Sequence, residues 1–412
     1  MSDLTQPGTA RGTTLPAALL TAALFALLAF APFASAAPDP VASGTTTVTL
    51  NNGFAKALKK GGVKLLKISP ATAKGKTVTL PVSGGSLDPL SGQGALTHSG
   101  GIKFKQGKKS VALTSLEINT TTASLSAKVG SKTLKVASLK GFSYSRNGFG
   151  VDLKVTKLKL TGKAAKELNK ALAPAKRKTG KKGKGKASAS KKKAGASSAA
   201  VFKANQVLGG AASTTQPSTV AVLPGGNATL VTNEATVKKL KELAVEIVTV
   251  PPTTQTASPL PTFEFPIAGG TISPAASAGI VQTGGGLQLV QDVEKLGGKG
   301  KSTISLNAIW VDLGAKTATV EVVVESTVDP KLNLGVLGRS SIADISLTGA
   351  TVAADPATRT VSVQNASATL QAVTAEVLNS VFGAPFDALA LPHPAFVAGD
   401  GLGTFSFTAQ TQ

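Results

Sequence analysis

The sequence predicts a mainly β protein built as two tandem β-sandwich-like domains with short flanking helices, joined by a disordered lysine-rich linker. Three observations lead there. Short runs alternating apolar and polar residues, punctuated by glycine and proline, recur along the chain as half-buried strands do. A unit of roughly 130–150 residues occurs twice, too long a period for a solenoid and therefore a domain each time. Between the copies runs a cationic stretch with no aliphatic side chain larger than alanine, which cannot bury enough surface to fold.

The first 36 residues read as a signal peptide. A polar start containing Arg11 leads into "LPAALLTAALFALLAFAPFASAA", and Ala34-Ser35-Ala36 fits a cleavage site before Ala37. The apolar run of about 18 residues is borderline for a membrane span, and the cleavage signature sets the expectation of removal. No later segment is apolar for long enough to cross a membrane. The expected product is secreted or associated with the cell envelope, without a transmembrane span. The chain has no cysteine, which excludes disulfides, thiolate metal sites and cysteine nucleophiles.

The first domain is expected over 44–173. Asn51 or Asn52 caps a short helix whose Phe54 and Leu58 share a face, and Gly61-Gly62 stop it. Alternation then takes over: Ile102 and Phe104 oppose Lys103 and Lys105, and Leu125, Ala127 and Val129 oppose Ser126 and Lys128. "VGSKTLKV" turns at Gly130-Ser131, and Val151, Leu153 and Val155 form one more apolar face. Thr161 opens a closing helix with Ala164, Leu168 and Leu172 on one side. Many short strands with turns between them point to a sandwich or a partly closed barrel.

The second domain, 220–384, repeats the first. "KTVTLPVSGGSLDPLSGQGALTHSGGIKF" aligns without a gap on "PTFEFPIAGGTISPAASAGIVQTGGGLQL", matching Pro81 to Pro266, Gly84-Gly85 to Gly269-Gly270 and Gly100-Gly101 to Gly285-Gly286. "AKELNKAL" (165–172) answers "AEVLNSVF" (375–382). Residues 385–412 read as a tail packing back onto the second domain.

The net charge of +23 is unevenly placed. Residues 37–200 carry 32 Lys/Arg against 5 Asp/Glu, whereas residues 201–412 carry 11 against 15. The expected linker, 174–205, holds ten cations: Lys176, Arg177, Lys178, Lys181, Lys182, Lys184, Lys186, Lys191, Lys192 and Lys193. It reads either as a solvated spacer or as an adhesive for anionic cell-envelope polymers or lipid headgroups. Each lysine near such a surface contributes on the order of 1 kcal/mol, screened by salt. No aromatic residues interleave with the lysines to stack on bases, so no nucleic-acid partner is expected.

Catalytic chemistry is absent from the pattern. No carboxylate pair stands by a histidine, no nucleophile elbow or phosphate loop appears, and within 44–173 Asp88 and Asp152 are the only aspartates. A non-enzymatic protein is expected. His98, in "GALTHSGGIKF", is one of two histidines, and Thr283 stands in its place in the second copy. Imidazole is a good axial ligand for haem iron, and tyrosinate also serves, which makes His98 and Tyr144, the only tyrosine, candidate haem contacts. The plainer alternatives are an exposed polar residue before a turn and a packing tyrosine. His393, between prolines in "LPHPAF", reads as structural, and Trp310, opposite Glu117 in the alignment, as an edge aromatic.

At "FAKALKKGGV", the Pro-x-x-Gly-Gly stretch, "LTHSGGIKF", "LEINTTTASLSAKV" and "KLKLTGKAAKELNKAL" the chain resembles the HtaA domain family of secreted and surface haem-binding proteins. The likeness covers roughly 46–172 and, in a degenerate second copy, 227–383. It implies β-rich domains that bind haem, free or from haem-carrying proteins, for iron acquisition, with a tyrosine ligating iron and a histidine assisting. The family tyrosine is expected shortly after the helix aromatic, where this chain has Ala55, Lys56, Ala57 and Leu58. The leading expectation is haem binding through the first domain. The alternative is a non-haem structural or adhesive envelope protein that binds anionic polymers.

Overall fold

The computed structural model describes residues 38–173, 200–256 and 259–412. The expected signal peptide and all ten cations of 176–193 lie outside the described residues.

Each copy is a closed eight-stranded antiparallel barrel, not a sandwich. The first is built from β1 (Asp39–Leu50), β2 (Thr77–Leu87), β3 (Gly94–His98), β4 (Lys109–Asn119), β5 (Ser124–Val129), β6 (Lys132–Asn147), β7 (Gly150–Leu160) and β8 (Val207–Pro217). They neighbour one another in the order β4-β3-β2-β1-β8-β7-β6-β5, and β5 pairs back onto β4 to close the ring. The second barrel repeats that order with β9 (Asn227–Thr232), β10 (Thr262–Ile272), β11 (Gly279–Thr283), β12 (Lys301–Asp312), β13 (Thr317–Ser326), β14 (Gly335–Ser346), β15 (Thr360–Leu370) and β16 (Gly401–Gln410). Closure gives every strand of the ring a neighbour on both sides, which a sandwich of the same strands would deny its outer strands.

The duplication holds to the level of single backbone positions. At the crossing of β2 with β3, a Cβ on Gly85 would stand 2.0 Å from the carbonyl oxygen of Ala95. At the matching crossing a Cβ on Gly270 would stand 2.0 Å from that of Ile280. Both glycines have φ near +125°, so space and backbone conformation both require glycine there. The irregularity within β4 at Ser115 (φ 48°) recurs within β12 at Ala308 (φ 50°), where register shifts in both strands.

Four helices seal the barrel ends. Helix α1 (Asn52–Lys60) is capped by the Asn51 side chain and buries Phe54 and Leu58. Helix α2 (Gly162–Leu172) is capped by Thr161, whose hydroxyl accepts from the Ala164 N–H, and buries Ala164, Ala165, Leu168 and Leu172. Their counterparts are α3 (Glu234–Glu242) and α4 (Ala372–Ala388). In the first barrel, Phe54, Phe104 and Phe202 meet as an aromatic cluster with centroids 5.2–6.5 Å apart.

Strand β8 changes the domain boundaries. It pairs with β1 and β7, so the first domain continues past residue 173 to Pro217. The lysine tract is therefore inserted between α2 and the strand that closes the same barrel, and does not link two domains. The described residues that flank it are bonded to each other: Asn169 on α2 donates from Nδ2 to the Phe202 carbonyl (2.7 Å) and accepts from the Phe202 N–H (3.2 Å). In the second barrel Asn379 makes the same two bonds with Phe396, at 2.8 and 2.7 Å. The tail, likewise, does more than pack on the second domain, because β16 inserts between β9 and β15 and completes the ring.

The barrels meet directly. Phe149, at the turn from β6 to β7, is buried within the core of the second barrel among Val220, Val361 and Ala409. Arg146 Nη2 donates to the Gln412 carbonyl at 2.5 Å.

Candidate functional site

His98 lies inside the first barrel. On β3 it alternates with Leu96, and both side chains point to the interior, leaving the imidazole 4% exposed. Its Nδ1 is 3.1 Å from the Leu116 carbonyl, which can only accept, so Nδ1 carries the proton. Nε2 is then an acceptor, and the Thr46 hydroxyl donates to it at 2.6 Å. Thr46 in turn accepts from the Ser213 hydroxyl at 2.7 Å. This chain joins β3, β1 and β8 across the barrel and forms a polar layer between two apolar clusters. Val41, Val82, Leu87, Leu96, Val151 and Leu153 lie in one; the other includes Val48, Leu80 and Val155. Burial holds the His98 pKa below the ordinary imidazole value, with the Leu116 carbonyl acting weakly the other way.

The second barrel has the same position without the network. Thr283 Oγ1 donates to the Ile309 carbonyl at 2.8 Å, the counterpart of the His98–Leu116 bond. By register, Ala228 stands in place of Thr46 and Phe407 in place of Ser213. One barrel fills this level with hydrogen bonds and the other with an aromatic ring.

Tyr144 is on β6, 41% exposed, stacked on Phe142 at 6.2 Å, with its hydroxyl donating to the Leu90 carbonyl. It packs over Gly92, where a Cβ would stand 2.7 Å from the tyrosine ring. Across Ala55, Lys56, Ala57 and Leu58, where the family resemblance implies a ligand tyrosine, the chain has none, and Leu58 is buried in the core. These residues do not fit haem: both nitrogens of His98 are committed to protein partners, and Tyr144 is a surface residue tied to a loop. Among the described residues no group of three or more His, Asp or Glu is placed to hold a metal ion.

The remaining singled-out residues have local roles. His393 packs at 5.5 Å against Phe386 over Gly383, with Nε2 3.2 Å from Asp387. Trp310 carries the Arg339 guanidinium over its ring at 3.7 Å. Asp88 accepts from the Leu90 N–H and the Ser91 hydroxyl, while Asp152 faces Asn147 at 3.3 Å, so the two do not form a carboxylate pair.

Two features were not read from the sequence. The first is the outer surface of the first barrel. Its described residues carry 23 Lys/Arg and 5 Asp/Glu, yet every ion pair within 4 Å among the described residues belongs to the second barrel. Lysines even face each other across strands: Lys140 is paired with Lys157, and Lys64, on the flanking strand Val63–Ile68, with Lys105 on Gly101–Gln106. The alternation had already placed such lysines outward, but the cross-strand register was needed to set them side by side. The second is a buried polar cluster at the barrel junction. Asp39 there is 6% exposed, and burial pushes its pKa up to about 6 against the pull of Arg146.

No family model matches the chain and no curated protein matches it. Among solved structures, it is similar to the C-terminal domain of HtaA from Corynebacterium glutamicum, with 10% identity, a TM-score of 0.30, and coverage of 43% of this chain and 98% of that one. It is also similar to the N-terminal domain of the same protein, with 14% identity, a TM-score of 0.31, and coverage of 46% and 98%.

Proposed function

We propose that this chain is an exported, non-catalytic binding protein that holds anionic polymers of the cell envelope through the cationic exterior of its first barrel. The carrying observation is the lysine surface, with Lys140 beside Lys157 and Lys64 beside Lys105 and, among the described residues, no carboxylate within ion-pair distance of any of them. Like charges directly opposite on a sheet destabilise it, by roughly 0.2–1 kcal/mol per pair. A partner bearing regularly spaced negative charge relieves that repulsion on binding. The ten cations of 176–193 add to the same charge, since Asn169 and Phe202, the described residues on either side of them, are bonded to each other in that barrel. Haem binding is the other reading considered, and the engagement of both His98 nitrogens speaks against it.

The test is retention of the full chain on purified envelope polymer across a sodium chloride gradient. Retention should fall steeply with salt, weaken on deleting 176–193, and weaken again in Lys64→Glu/Lys105→Glu/Lys140→Glu/Lys157→Glu. Retention that ignores salt, or survives both changes, refutes the proposal.

A further inference from the structure

The two barrels differ most where the last helix crosses the sixth strand. In the second barrel, β14 pairs with β13 along Gly335–Asp344 but joins β15 only from Ala343 to Ser346. Among the described residues, 335–341 thus have no strand partner on the side away from β13, and Val373, Thr374 and Val377 of α4 face Leu337, Ser340 and Ser341 across a gap there. Between strand and helix opens a cleft of about 170 Å³ whose walls include Leu306, Val322, Ile342, Leu370, Val377 and Leu378. No charged residue lines it. Of its lining residues Val373 is 69% exposed and Leu337 44% exposed, and Val336, next to Leu337 on the strand, is 79% exposed.

The first barrel is built differently at the same place. There Thr161 Oγ1 donates to the Lys135 carbonyl at 2.7 Å. The matching residue, Gln371, donates to Asp344 instead at 2.7 Å and makes no cap, leaving the Ser341 carbonyl without that donor. Lys163 and Glu167 of α2 become Val373 and Val377 of α4, one helical turn apart on the cleft side. The two-residue turn Gly130-Ser131 becomes a longer connection through residues 327–334, which ends in the exposed Leu334. Charge has been removed and apolar surface added beside a strand edge that lacks a strand partner in both barrels, over 132–136 in the first and 335–341 in the second.

We infer that this edge of the second barrel binds an extended polypeptide segment of a partner protein, which adds as a strand along Gly335–Ser341 and sends alternate apolar side chains into the cleft. Open main-chain donors and acceptors call for a strand, and side chains of an added strand alternate between the cleft and solvent. A second copy of this chain fits poorly. The patch is about four side chains wide, whereas stable dimers use roughly 20–30 residues a side, and the copies, each at +23, repel. The cleft's uncharged lining suits a neutral apolar segment of about seven residues, the length of the free edge.

The experiment uses the full chain and a fluorescein-labelled, acetylated and amidated heptapeptide alternating threonine with valine, followed by anisotropy. The peptide should bind saturably. The same peptide N-methylated at alternate residues should not, since it keeps the side chains and loses the strand bonds. Val373→Lys/Val377→Glu, which restores the residues of the first barrel, should weaken binding at least tenfold with an unchanged melting curve. Three results overturn the inference: no saturation at millimolar peptide, equal binding of the N-methylated peptide, or full binding by the folded double variant. Light scattering that shows a wild-type dimer dispersed by the double variant would assign the edge to a second copy and also overturn it.

Discussion

His98→Ala and His98→Thr together test whether the polar layer in the first barrel holds the fold. Alanine removes the donor to the Leu116 carbonyl and the acceptor for Thr46. Thr46 can turn its hydroxyl toward Ser213, 2.7 Å away, so the main orphan is the carbonyl. An unsatisfied buried polar group costs about 1–3 kcal/mol, and the void left by the ring adds about 1–2 kcal/mol. The expected loss is about 3 kcal/mol. Threonine should cost about half of that, because Thr283 reaches the equivalent carbonyl at 2.8 Å in the second barrel. Urea unfolding by far-UV circular dichroism measures both, while fluorescence of the single tryptophan, Trp310, follows the second barrel. A loss below about 1 kcal/mol for alanine, or equal losses for the two variants, would refute the reasoning. The same pair carries a pH signature. Since the folded pKa of His98 lies below 6.5, the unfolded chain binds the proton first as pH falls below that value, and stability is lost. His98→Thr should remove that part of the acid sensitivity.

Other consequences are as direct. Asp39, with a folded pKa of about 6 against 3.8 unfolded, costs stability above pH 6 and returns it as pH falls toward 4. Asp39→Asn should therefore stabilise the protein at pH 8 by up to about 3 kcal/mol, little at pH 4, and flatten the curve between them; thermal melts across that range check it. Asn169→Ala and Asn379→Ala should each cost about 2 kcal/mol and loosen hydrogen exchange at Phe202 and Phe396 respectively, since each removes two bonds to the chain re-entering its barrel. Hemin titrations of wild type and His98→Ala should give the same Soret spectrum, and a band lost with the histidine would restore the haem reading.

The β content, the duplication and the helix caps were legible because they rest on local pattern: alternation over a few residues, paired glycines, and asparagine or threonine before a helix. Closure was not legible. Strands β1 and β8 are separated by more than 150 residues, and the composition breaks sharply at Lys176, so the eye places a boundary where the chain only makes an excursion. Gly401–Gln410 was visible as a strand, yet its place in the ring follows from pairing with residues 360–370 and 228–232, which no local signal encodes. His98 was within reach. "ALTH" alternates, and Leu96 on the inward face puts His98 there too, two residues on. The glycines that follow drew attention to a turn that begins one residue later.

The comparison of the two barrels also bears on where function resides. What they share is the bonding that makes the fold: the glycine crossing at β2–β3 and β10–β11, the irregularity in the fourth strand, and the asparagine clasp. Besides the lysines on the outer surface of the first barrel, they differ in three kinds of place. The interior layer changes from His98, Thr46 and Ser213 to Thr283, Ala228 and Phe407, which alters stability and pH response without reaching the surface. Between Leu172 and the clasped Phe202 stand 29 residues, Ala173–Val201, whereas between the aligned Phe382 and the clasped Phe396 stand 13, Gly383–Ala395, and the longer stretch carries the cations. The helix-to-strand cleft exchanges Lys163 and Glu167 for Val373 and Val377. Selection for folding alone would not drive one copy to accumulate unpaired lysines while the other sets exposed apolar side chains beside a strand edge, since each change costs stability. Two barrels in direct contact through Phe149 would present those surfaces on one body, a cationic surface for an anionic polymer and a strand edge for a polypeptide. On that reasoning, charge reversal at Lys140 and Lys157 should leave heptapeptide binding intact, and Val373→Lys/Val377→Glu should leave polymer retention intact; loss of both activities in either variant would show that the two surfaces are one site.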